Sequence, residues 1–222
     1  MAIPRAARTQ RRTRIQEAKE EIILEAALEV FSLRGFHGST VDRIAERAGM
    51  SKPNMLYYFR TKEAMHRALI DRLLDTWLEP LSAFDADGDP EEEIRSYIRR
   101  KLEMARDYPR ESRLFANEIL QGAPHVLDML KGPLKSLVDE KAEVIRSWTR
   151  AGKLIACDPY HLIFSIWSTT QHYADFDVQV QAVLGEGAGL EARFEAAADF
   201  LQDMFVRGLV VGPHQDNDAA AG

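Results

Sequence analysis

The segment from Ser51 to Lys62, SKPNMLYYFRTK, combines several side chains that can contact nucleic acid. Lysine supplies positive charge for a phosphate, and tyrosine offers a flat apolar ring with a hydroxyl that can bind phosphate. Asparagine can read a base edge in the major groove, and backbone N–H groups at the start of a helix can take a phosphate. This chemistry indicates a helix that lies against DNA. The candidate DNA-contacting residues are Thr40, Ser51, Lys52, Pro53, Asn54, Tyr57, Tyr58 and Lys62.

Short helices must position this segment. Apolar residues at helical spacing predict a first helix over residues 16–34, which Gly35 ends. Thr40 can cap a second helix over residues 41–47. Gly49 then gives a tight turn. A short helix followed by such a turn and a further helix is the helix-turn-helix pattern.

The third helix, over residues 52–58, would be the recognition helix. We expect Ser51 to cap it and Pro53 to lie in its first turn, where the missing N–H is harmless. Met55 and Phe59 are predicted to pack inward and hold the helix in place. Of the two adjacent tyrosines, one is expected to face DNA fully and the other only partly.

A second group of residues suits a flat ring. Trp167 and Gln171 are four residues apart in IFSIWSTTQHYADF and therefore share a helix face. An aromatic plane beside a side-chain amide suits a heterocyclic amide, because glutamine both donates and accepts hydrogen bonds. Trp77 stands just before Pro80, which is predicted to end a helix over residues 63–79. The alternative, in which both tryptophans are core residues and Gln171 lies at a dimer interface, stays open.

Helical periodicity continues through the rest of the chain, and no segment passes the alternation test for a strand. The predicted fold is all-α, with an N-terminal three-helix helix-turn-helix domain followed by a larger helical ligand-binding and dimerisation domain. Later helices are predicted over residues 125–148, 160–181 and 190–211. The predicted organisation is a disordered basic arm over 1–14, a helix-turn-helix domain over 15–62, an effector-binding and dimerisation domain over 63–211, and a disordered tail over 212–222.

The net charge of −6 is unevenly distributed along the chain. Residues 1–66 hold 12 Lys and Arg against 8 Asp and Glu, whereas the remainder holds 17 against 27. The arm contains Arg5, Arg8, Arg11, Arg12 and Arg14 without any acidic residue. A basic start and an acidic body favour a DNA-binding part followed by a part with another task. A merely solvated tail is the open alternative for the arm.

Composition excludes several classes of protein. The single cysteine, Cys157, rules out an internal disulfide and a four-thiolate zinc site, and it fits a reducing compartment. No apolar run reaches the roughly 20 residues of a membrane-spanning helix, and the N-terminus lacks the apolar segment of a secretory signal. These features favour a cytoplasmic protein.

The sequence gives little support to an enzyme. It has no glycine-rich phosphate loop, no nucleophile elbow and no HExxH metal helix. Cys157 and His161 resemble a nucleophile and its base, but a helix-capping loop explains ACDPYH better. His161 and His172 do not share a helix face and lack a carboxylate at ligand spacing, so no metal site and no cofactor are expected. A purely structural bundle would have no reason for the arginine arm.

The stretch from Ile23 to Met65 resembles the DNA-binding domain of the TetR family of bacterial transcriptional repressors. The resemblance is carried by AALEVFSLRGFHGST, IAERAGMS and LYYFRTKEAM. It implies a homodimer with an N-terminal helix-turn-helix domain and a helical C-terminal ligand domain. It also implies release from operator DNA when a small molecule binds.

Further stretches, including LEMARDYPRESRLFANEILQGAP and GKLIACDPYHLIFSIWSTTQHYADF, are similar to the pyrimidine-utilisation regulators within that family, from Ile23 to Phe176. This similarity implies a repressor or dual regulator of pyrimidine catabolism, with uracil or thymine as effector. The implied pocket residues are Trp77, Trp167 and Gln171, followed by Thr170, Tyr173, Phe115 and Asn117. The alternative is the same kind of repressor with another effector, such as a purine, an aromatic amide or a lipophilic compound.

The dimer is expected to form through two C-terminal helices, over residues 160–181 and 190–211. The second of these carries more apolar residues on one stripe than a solvated helix should. The stripe comprises Leu190, Phe194, Ala197, Leu201 and Phe205.

Overall fold

The computed structural model describes residues 14–185, 187 and 189–211, without the side chain of Asp75. The predicted arm and tail lie outside these residues, except for Arg14, which begins the first helix. The helices are α1 Arg14–Arg34, α2 Val41–Arg47, α3 Lys52–Tyr58, α4 Lys62–Ser82, α5 Pro90–Asp107, α6 Pro109–Leu120, α7 Leu127–Met129, a π-helical turn Leu130–Leu134, α8 Lys135–Arg150, α9 Pro159–Asp175, α10 Asp177–Leu184 and α11 Leu190–Leu209.

The all-α prediction is confirmed within the described residues. Extended pairing there is limited to one isolated antiparallel bridge between Leu154 and Val210. None of the described helices is long and apolar enough to cross a membrane. The chain divides into two compact units, residues 1–69 and 70–222, and the division falls within α4 rather than at its start.

The first unit packs its two short helices, α2 and α3, on α1, whose buried apolar residues include Ile23, Ala27 and Phe31. Gly35 follows α1 with a φ of 65°, in the left-handed region that glycine adopts without strain. Thr40 caps α2 as expected, since its Oγ1 accepts a hydrogen bond from the N–H of Arg43 at 3.3 Å.

Ser51 and Pro80 differ from the sequence-based prediction. Ser51 occupies the N-cap position of α3, but its side chain makes no capping hydrogen bond. Pro80 does not end α4, which continues to Ser82. The missing N–H of Pro80 removes only one hydrogen bond, and the N–H of Ala83 still donates to the carbonyl of Glu79 at 3.0 Å. A proline in the last turn therefore leaves α4 intact.

The second unit is built around α5, which packs against α9 and α11. Buried residues of α5 include Ile94, Ile98 and Leu102. Ion pairs connect α5 and α11 at the outer edge of their contact, among them the pair of Arg99 with Glu195 at 3.0 Å. The core of this unit therefore lies where these helices meet.

Two predicted helices are interrupted. The helix expected over residues 125–148 is divided into α7, the π-helical turn and α8, because Pro133 in the turn has no N–H for the regular ladder. The helix expected over residues 160–181 is divided at Phe176 into α9 and α10. The last helix ends at Leu209, just before the bridge formed by Val210.

The apolar stripe expected at the dimer interface lies largely inside the subunit. Phe194, Ala197 and Leu201 are buried in the core of the second unit, and Phe205 packs against it. Leu190 remains half exposed. The prediction was wrong about this face because α5 of the same chain covers it.

Candidate DNA-binding surface and effector pocket

The third helix of the first unit presents most of its side chains to solvent. Lys52, Pro53 and Asn54 are exposed, whereas Met55 is fully buried and anchors the helix to the unit. The helix has seven residues, and the face that carries Lys52, Pro53, Asn54 and Tyr57 remains exposed. Such a helix can enter a major groove without disturbing its own support.

The two tyrosines of α3 differ in exposure. Tyr57 is 73% exposed, and Tyr58 is partly buried. Their rings meet edge to face with centroids 5.2 Å apart. The geometry leaves the Tyr57 ring and hydroxyl available to a ligand, with Tyr58 supporting it from the side.

The lysines predicted to contact phosphate have different surroundings. Lys62 Nζ donates to the carbonyls of Phe36 at 2.7 Å and Ser39 at 2.9 Å, and it lies 4.1 Å from the centre of the Phe36 ring. These contacts hold the turn after α1, and they leave one of the three N–H donors of Lys62 for another acceptor. Lys52 is exposed and pairs with Asp42 at 3.0 Å. Thr40 and Ser51 are also exposed.

The second unit contains a small cavity of about 50 Å³ among four helices and the π-helical turn. We call it the tryptophan pocket. It is lined by Leu74, Trp77, Leu78, Leu81, Tyr97, Lys101, Phe115, Leu134, Trp167 and Gln171. Pockets for drug-sized ligands measure roughly 300–1,000 Å³, so this cavity is much smaller than such pockets.

Some of the pocket residues proposed from sequence meet here and others do not. Trp77, Phe115, Trp167 and Gln171 line the cavity, and the rings of Trp77 and Phe115 have centroids 6.1 Å apart. The other three, Thr170, Tyr173 and Asn117, are not among the lining residues. Thr170 donates to the carbonyl of Ile166 at 2.7 Å, Tyr173 packs against Phe194, and the backbone carbonyl of Asn117 accepts from the N–H of Gln121.

Tyr97 fixes the ring of Trp167. The indole N–H of Trp167 donates to the Tyr97 hydroxyl oxygen at 2.6 Å. Tyr97 is buried, and burial raises the pKa of its hydroxyl well above the usual range, although the Trp167 hydrogen bond partly opposes this. The hydroxyl is therefore neutral at physiological pH and serves as an acceptor for the indole.

Lys101 brings a buried ammonium group to the same cavity. Its side chain is only 4% exposed, and Nζ lies 4.5 Å from the centre of the Trp77 ring. Burial lowers the pKa of Lys101 to about 8, and the negative charge of Asp175 opposes this shift. The lysine is therefore mostly protonated at neutral pH, so the pocket contains a cation on an aromatic face.

Sequence reasoning missed Tyr97 and Lys101. Lys101 follows Arg99 and Arg100 and reads as one more solvated basic residue. The available signal was its spacing, because Lys101 falls three and four residues after Ile98 and Tyr97, on the apolar face of α5.

The loop around Cys157 functions as a helix cap. The carboxylate of Asp158 accepts hydrogen bonds from the N–H groups of Tyr160 at 2.8 Å and His161 at 3.1 Å. Burial is the main cause that raises the pKa of the Cys157 thiol, and the charge of Asp158 adds to it. A thiol with a raised pKa is a poor nucleophile at neutral pH. The capping interpretation of this loop is confirmed.

Comparison with known families covers both units. Residues 23–69 match the bacterial regulatory proteins of the tetR family, and residues 70–212 match the C-terminal region of YcdC-like proteins. The chain belongs to the TetR family of bacterial regulatory proteins. The first match contains α2 and α3, and the second contains the whole tryptophan pocket.

Relatives and solved structures agree with this family. The HTH-type transcriptional regulator RutR of Escherichia coli strain K12 is 50% identical over 201 residues, which cover 90% of this chain and 95% of RutR. A TetR-like transcriptional regulator from Rhodococcus sp. RHA1 has a TM-score of 0.65 at 26% identity, covering 89% of this chain and 98% of that one. AibR in complex with isovaleryl coenzyme A and operator DNA shares the fold, with a TM-score of 0.66 at 19% identity over 84% of this chain and 97% of AibR.

Membership of the TetR family decides between the classes of function considered from sequence. Proteins of this family are transcriptional regulators, so this chain is a DNA-binding regulator and not an enzyme. The helix-turn-helix assignment made from the spacing of α2 and α3 is confirmed.

Proposed function

We propose that this TetR-family regulator binds operator DNA as a cytoplasmic homodimer and that uracil or thymine, bound in the tryptophan pocket, controls that binding. The regulated genes would serve pyrimidine catabolism. The observation that carries the proposal is the meeting of Trp77, Trp167 and Gln171 around one small cavity. The identity to RutR and the resemblance of the chain to pyrimidine-utilisation regulators support it.

The chemistry of the pocket suits a pyrimidine. A flat ring can pack on the indole surfaces of Trp77 and Trp167, and Phe115 adds a further apolar wall. The Gln171 amide offers both a donor and an acceptor, which matches adjacent C=O and N–H groups on one ring edge.

The DNA surface proposed is α3 with Thr40 before α2. The exposed residues Lys52, Asn54 and Tyr57 would supply phosphate and base contacts, and Ser51, Pro53, Tyr58 and Lys62 would support them at the edge of the interface. A dimer would place two such helices in successive major grooves, about 34–36 Å apart. Effector binding would favour a dimer geometry that no longer fits this spacing.

A second copy of the chain would cover exposed apolar residues on α9 and α11. Phe164, Phe200 and Met204 are large apolar residues that remain exposed on these helices. A transcriptional regulator with a two-fold axis gains a self-complementary interface from such a surface. The helices are those proposed from sequence, but the residues lie outside the stripe that packs on α5.

Effector and operator would be linked through the shared dimer equilibrium. The helix α4 begins at Lys62 in the first unit and carries Trp77 in the second, so a ligand on Trp77 contacts a helix that is continuous with the DNA-binding unit. By thermodynamic linkage, operator DNA must weaken effector binding by the same factor as effector weakens operator binding.

Calorimetric titration of uracil, thymine and adenine into the purified protein tests the effector. We expect uracil and thymine to bind at micromolar concentrations, adenine not to bind, and Gln171→Ala to abolish binding. The matched control is Gln179→Ala, which removes an exposed glutamine of α10 outside the pocket. Equal affinity of the Gln171→Ala variant, or binding of adenine alone, would contradict the pyrimidine assignment.

A further inference from the structure

Two donors on buried side chains of the tryptophan pocket have no acceptor among the described residues. Lys101 Nζ makes no hydrogen bond or ion pair within the described part of the chain, and its recorded close contact is with the face of Trp77. The indole Nε1 of Trp77 is also buried without a hydrogen-bond partner there. Both donors belong to side chains that line the same cavity.

The other buried lysine and the other tryptophans of this unit have acceptors. Lys141 is buried like Lys101, yet its Nζ donates to the carbonyl of Phe84 at 3.3 Å and pairs with Glu140 at 2.9 Å. The indole N–H of Trp167 donates to Tyr97. Lack of a partner is therefore a property of the Trp77–Lys101 corner and not of buried lysines and tryptophans in this core generally.

An ammonium group on a buried side chain without an acceptor is unfavourable, because it has lost most of its hydration and gained no hydrogen bond in return. The nearby carboxylate does not relieve it by contact. Asp175 of α9 accepts from the Ser112 hydroxyl of α6 at 2.5 Å and acts on Lys101 only through its charge, while Arg113 and His172 act on Asp175. On α4, Glu79 is exposed and pairs with Arg100. An oxygen acceptor from a ligand would satisfy both donors at once.

We propose that Lys101 and the indole N–H of Trp77 bind a ring carbonyl oxygen of the effector and thereby select flat cyclic imides and lactams. This rests on the proposed function, in that the tryptophan pocket is taken as the effector site. Lys101 supplies a charge-assisted hydrogen bond, which is stronger than one between neutral groups. The amide of Gln171 is then left for an adjacent N–H and carbonyl. Rings of similar shape that lack the carbonyl oxygen are rejected, because they leave the two donors unpaired.

The test compares uracil with two analogues that each lack one of its oxygens, 2-hydroxypyrimidine and 4-hydroxypyrimidine. Each compound is titrated by calorimetry into the native chain, Lys101→Met and Lys141→Met. Lys141→Met is the matched control, because it removes a buried lysine of the same unit whose ammonium group is already satisfied. Circular dichroism verifies that each variant retains its helices.

The expected result has two parts. Lys101→Met weakens uracil binding by about 10- to 100-fold, the range for a hydrogen bond to a charged group, and Lys141→Met leaves it within about 3-fold of native. One of the two analogues binds the native chain more weakly than uracil by a similar factor. The ratio of the affinities for uracil and for that same analogue is smaller in Lys101→Met, because one of the two donors that distinguished them is gone.

Failure of this inference and failure of the proposed function give different results. Native protein that binds uracil, with Lys101→Met binding it equally well, overturns the role of Lys101 and leaves the pyrimidine effector in place. Succinimide and hydantoin, two cyclic imides that are not pyrimidines, complete the panel. If they bind in a Lys101-dependent manner and no pyrimidine binds, the proposed effector is wrong and the donor pair stands. If no member of the panel binds, both are overturned.

Discussion

The indole N–H of Trp167 donates to the hydroxyl oxygen of Tyr97 at 2.6 Å and thereby joins α9 to α5 at the wall of the tryptophan pocket. This contact fixes the plane of one of the two tryptophans that line the cavity. A ring held in one orientation loses little freedom when a ligand binds, which favours affinity. The hydrogen bond therefore connects the packing of the second unit with the shape of its ligand site.

Replacing Tyr97 with phenylalanine tests this connection. The Tyr97→Phe variant leaves the Trp167 N–H without its acceptor, and we expect a loss of about 1–3 kcal/mol in the free energy of unfolding, measured by urea denaturation. Uracil affinity should also fall, because the Trp167 ring is no longer fixed. Tyr108→Phe removes a hydroxyl from a half-exposed tyrosine and serves as the control. Unchanged stability and uracil affinity in Tyr97→Phe would show that the hydrogen bond does not fix the Trp167 ring.

Lys101 should lower the free energy of unfolding of the protein by an amount that depends on pH. Burial lowers its pKa from 10.5 to about 8, so the folded state binds the proton less tightly than the unfolded state. The resulting penalty of about 3 kcal/mol, at about 1.4 kcal/mol per pKa unit, is fully present below pH 8 and disappears as the pH rises towards 10.5. Lys101→Met should therefore be more stable than native at pH 7, by an amount that shrinks at pH 9–10.

Urea denaturation of Lys101→Met at pH 7 and at pH 9.5 measures this difference. Lys141→Met is the control, and it should be less stable than native at both pH values because it loses the hydrogen bond to the Phe84 carbonyl. A Lys101→Met variant that is less stable than native at pH 7 would contradict an unsatisfied buried charge.

Tyr57 should contribute to DNA binding and not to folding. Its side chain is largely exposed, so Tyr57→Ala should leave the melting temperature of the protein unchanged. We expect operator affinity to fall about 10-fold, measured by fluorescence anisotropy with an operator selected by the native protein from random DNA. Leu33→Ala removes an equally exposed side chain from α1 and is the control. Equal operator affinity in Tyr57→Ala and native protein would exclude this ring from the interface.

Lys52 and Lys62 should behave differently when each is replaced by methionine. Lys52→Met should keep the native stability and reduce the slope of log affinity against log salt by about 1, as expected for the loss of one phosphate contact. Lys62→Met should destabilise the first unit by about 1–3 kcal/mol, because the carbonyls of Phe36 and Ser39 lose their donor. Thermal denaturation and binding at several salt concentrations separate the two effects. Equal stability of both variants would contradict a structural role for Lys62.

The dimer surface is tested at Phe200, which is 63% exposed on α11. Phe200→Glu should shift the protein from dimer to monomer in sedimentation experiments, because a charge would be buried between the two copies. It should also weaken operator binding. Glu191→Gln changes an exposed residue near the start of α11 and is the control. A Phe200→Glu variant that sediments as the native protein would place the interface elsewhere.

Short-range patterns in the sequence were sufficient for the helices of the first unit. Gly35 ends α1, Thr40 caps α2 and Met55 is buried in α3, and each of these follows from backbone preference or from spacing within a few residues. The face shared by Trp167 and Gln171 is equally local, since it depends only on the helical repeat. Trp77 was also a candidate from sequence, but no spacing connects it to that pair, and the family resemblance implied that the three share a pocket.

The interruptions of predicted helices and the composition of the pocket depend on tertiary contacts. Pro80 is tolerated within α4, whereas Pro133 lies in a π-helical turn, although both are prolines in helical sequences. Lys101 resembles a surface residue in its sequence context, but in the fold it is buried and lies against the Trp77 ring of α4.

The sequence by itself thus determined the helical class, the helix-turn-helix and the local faces of single helices, because these depend on residues only a few positions apart. The tertiary structure decided which apolar face of α11 is covered by α5 and which polar side chains, Tyr97 and Lys101, meet Trp77 and Trp167 in one cavity. Those contacts join residues far apart in the chain. An amphipathic pattern indicates that a helix face is buried, but it does not indicate which element covers that face.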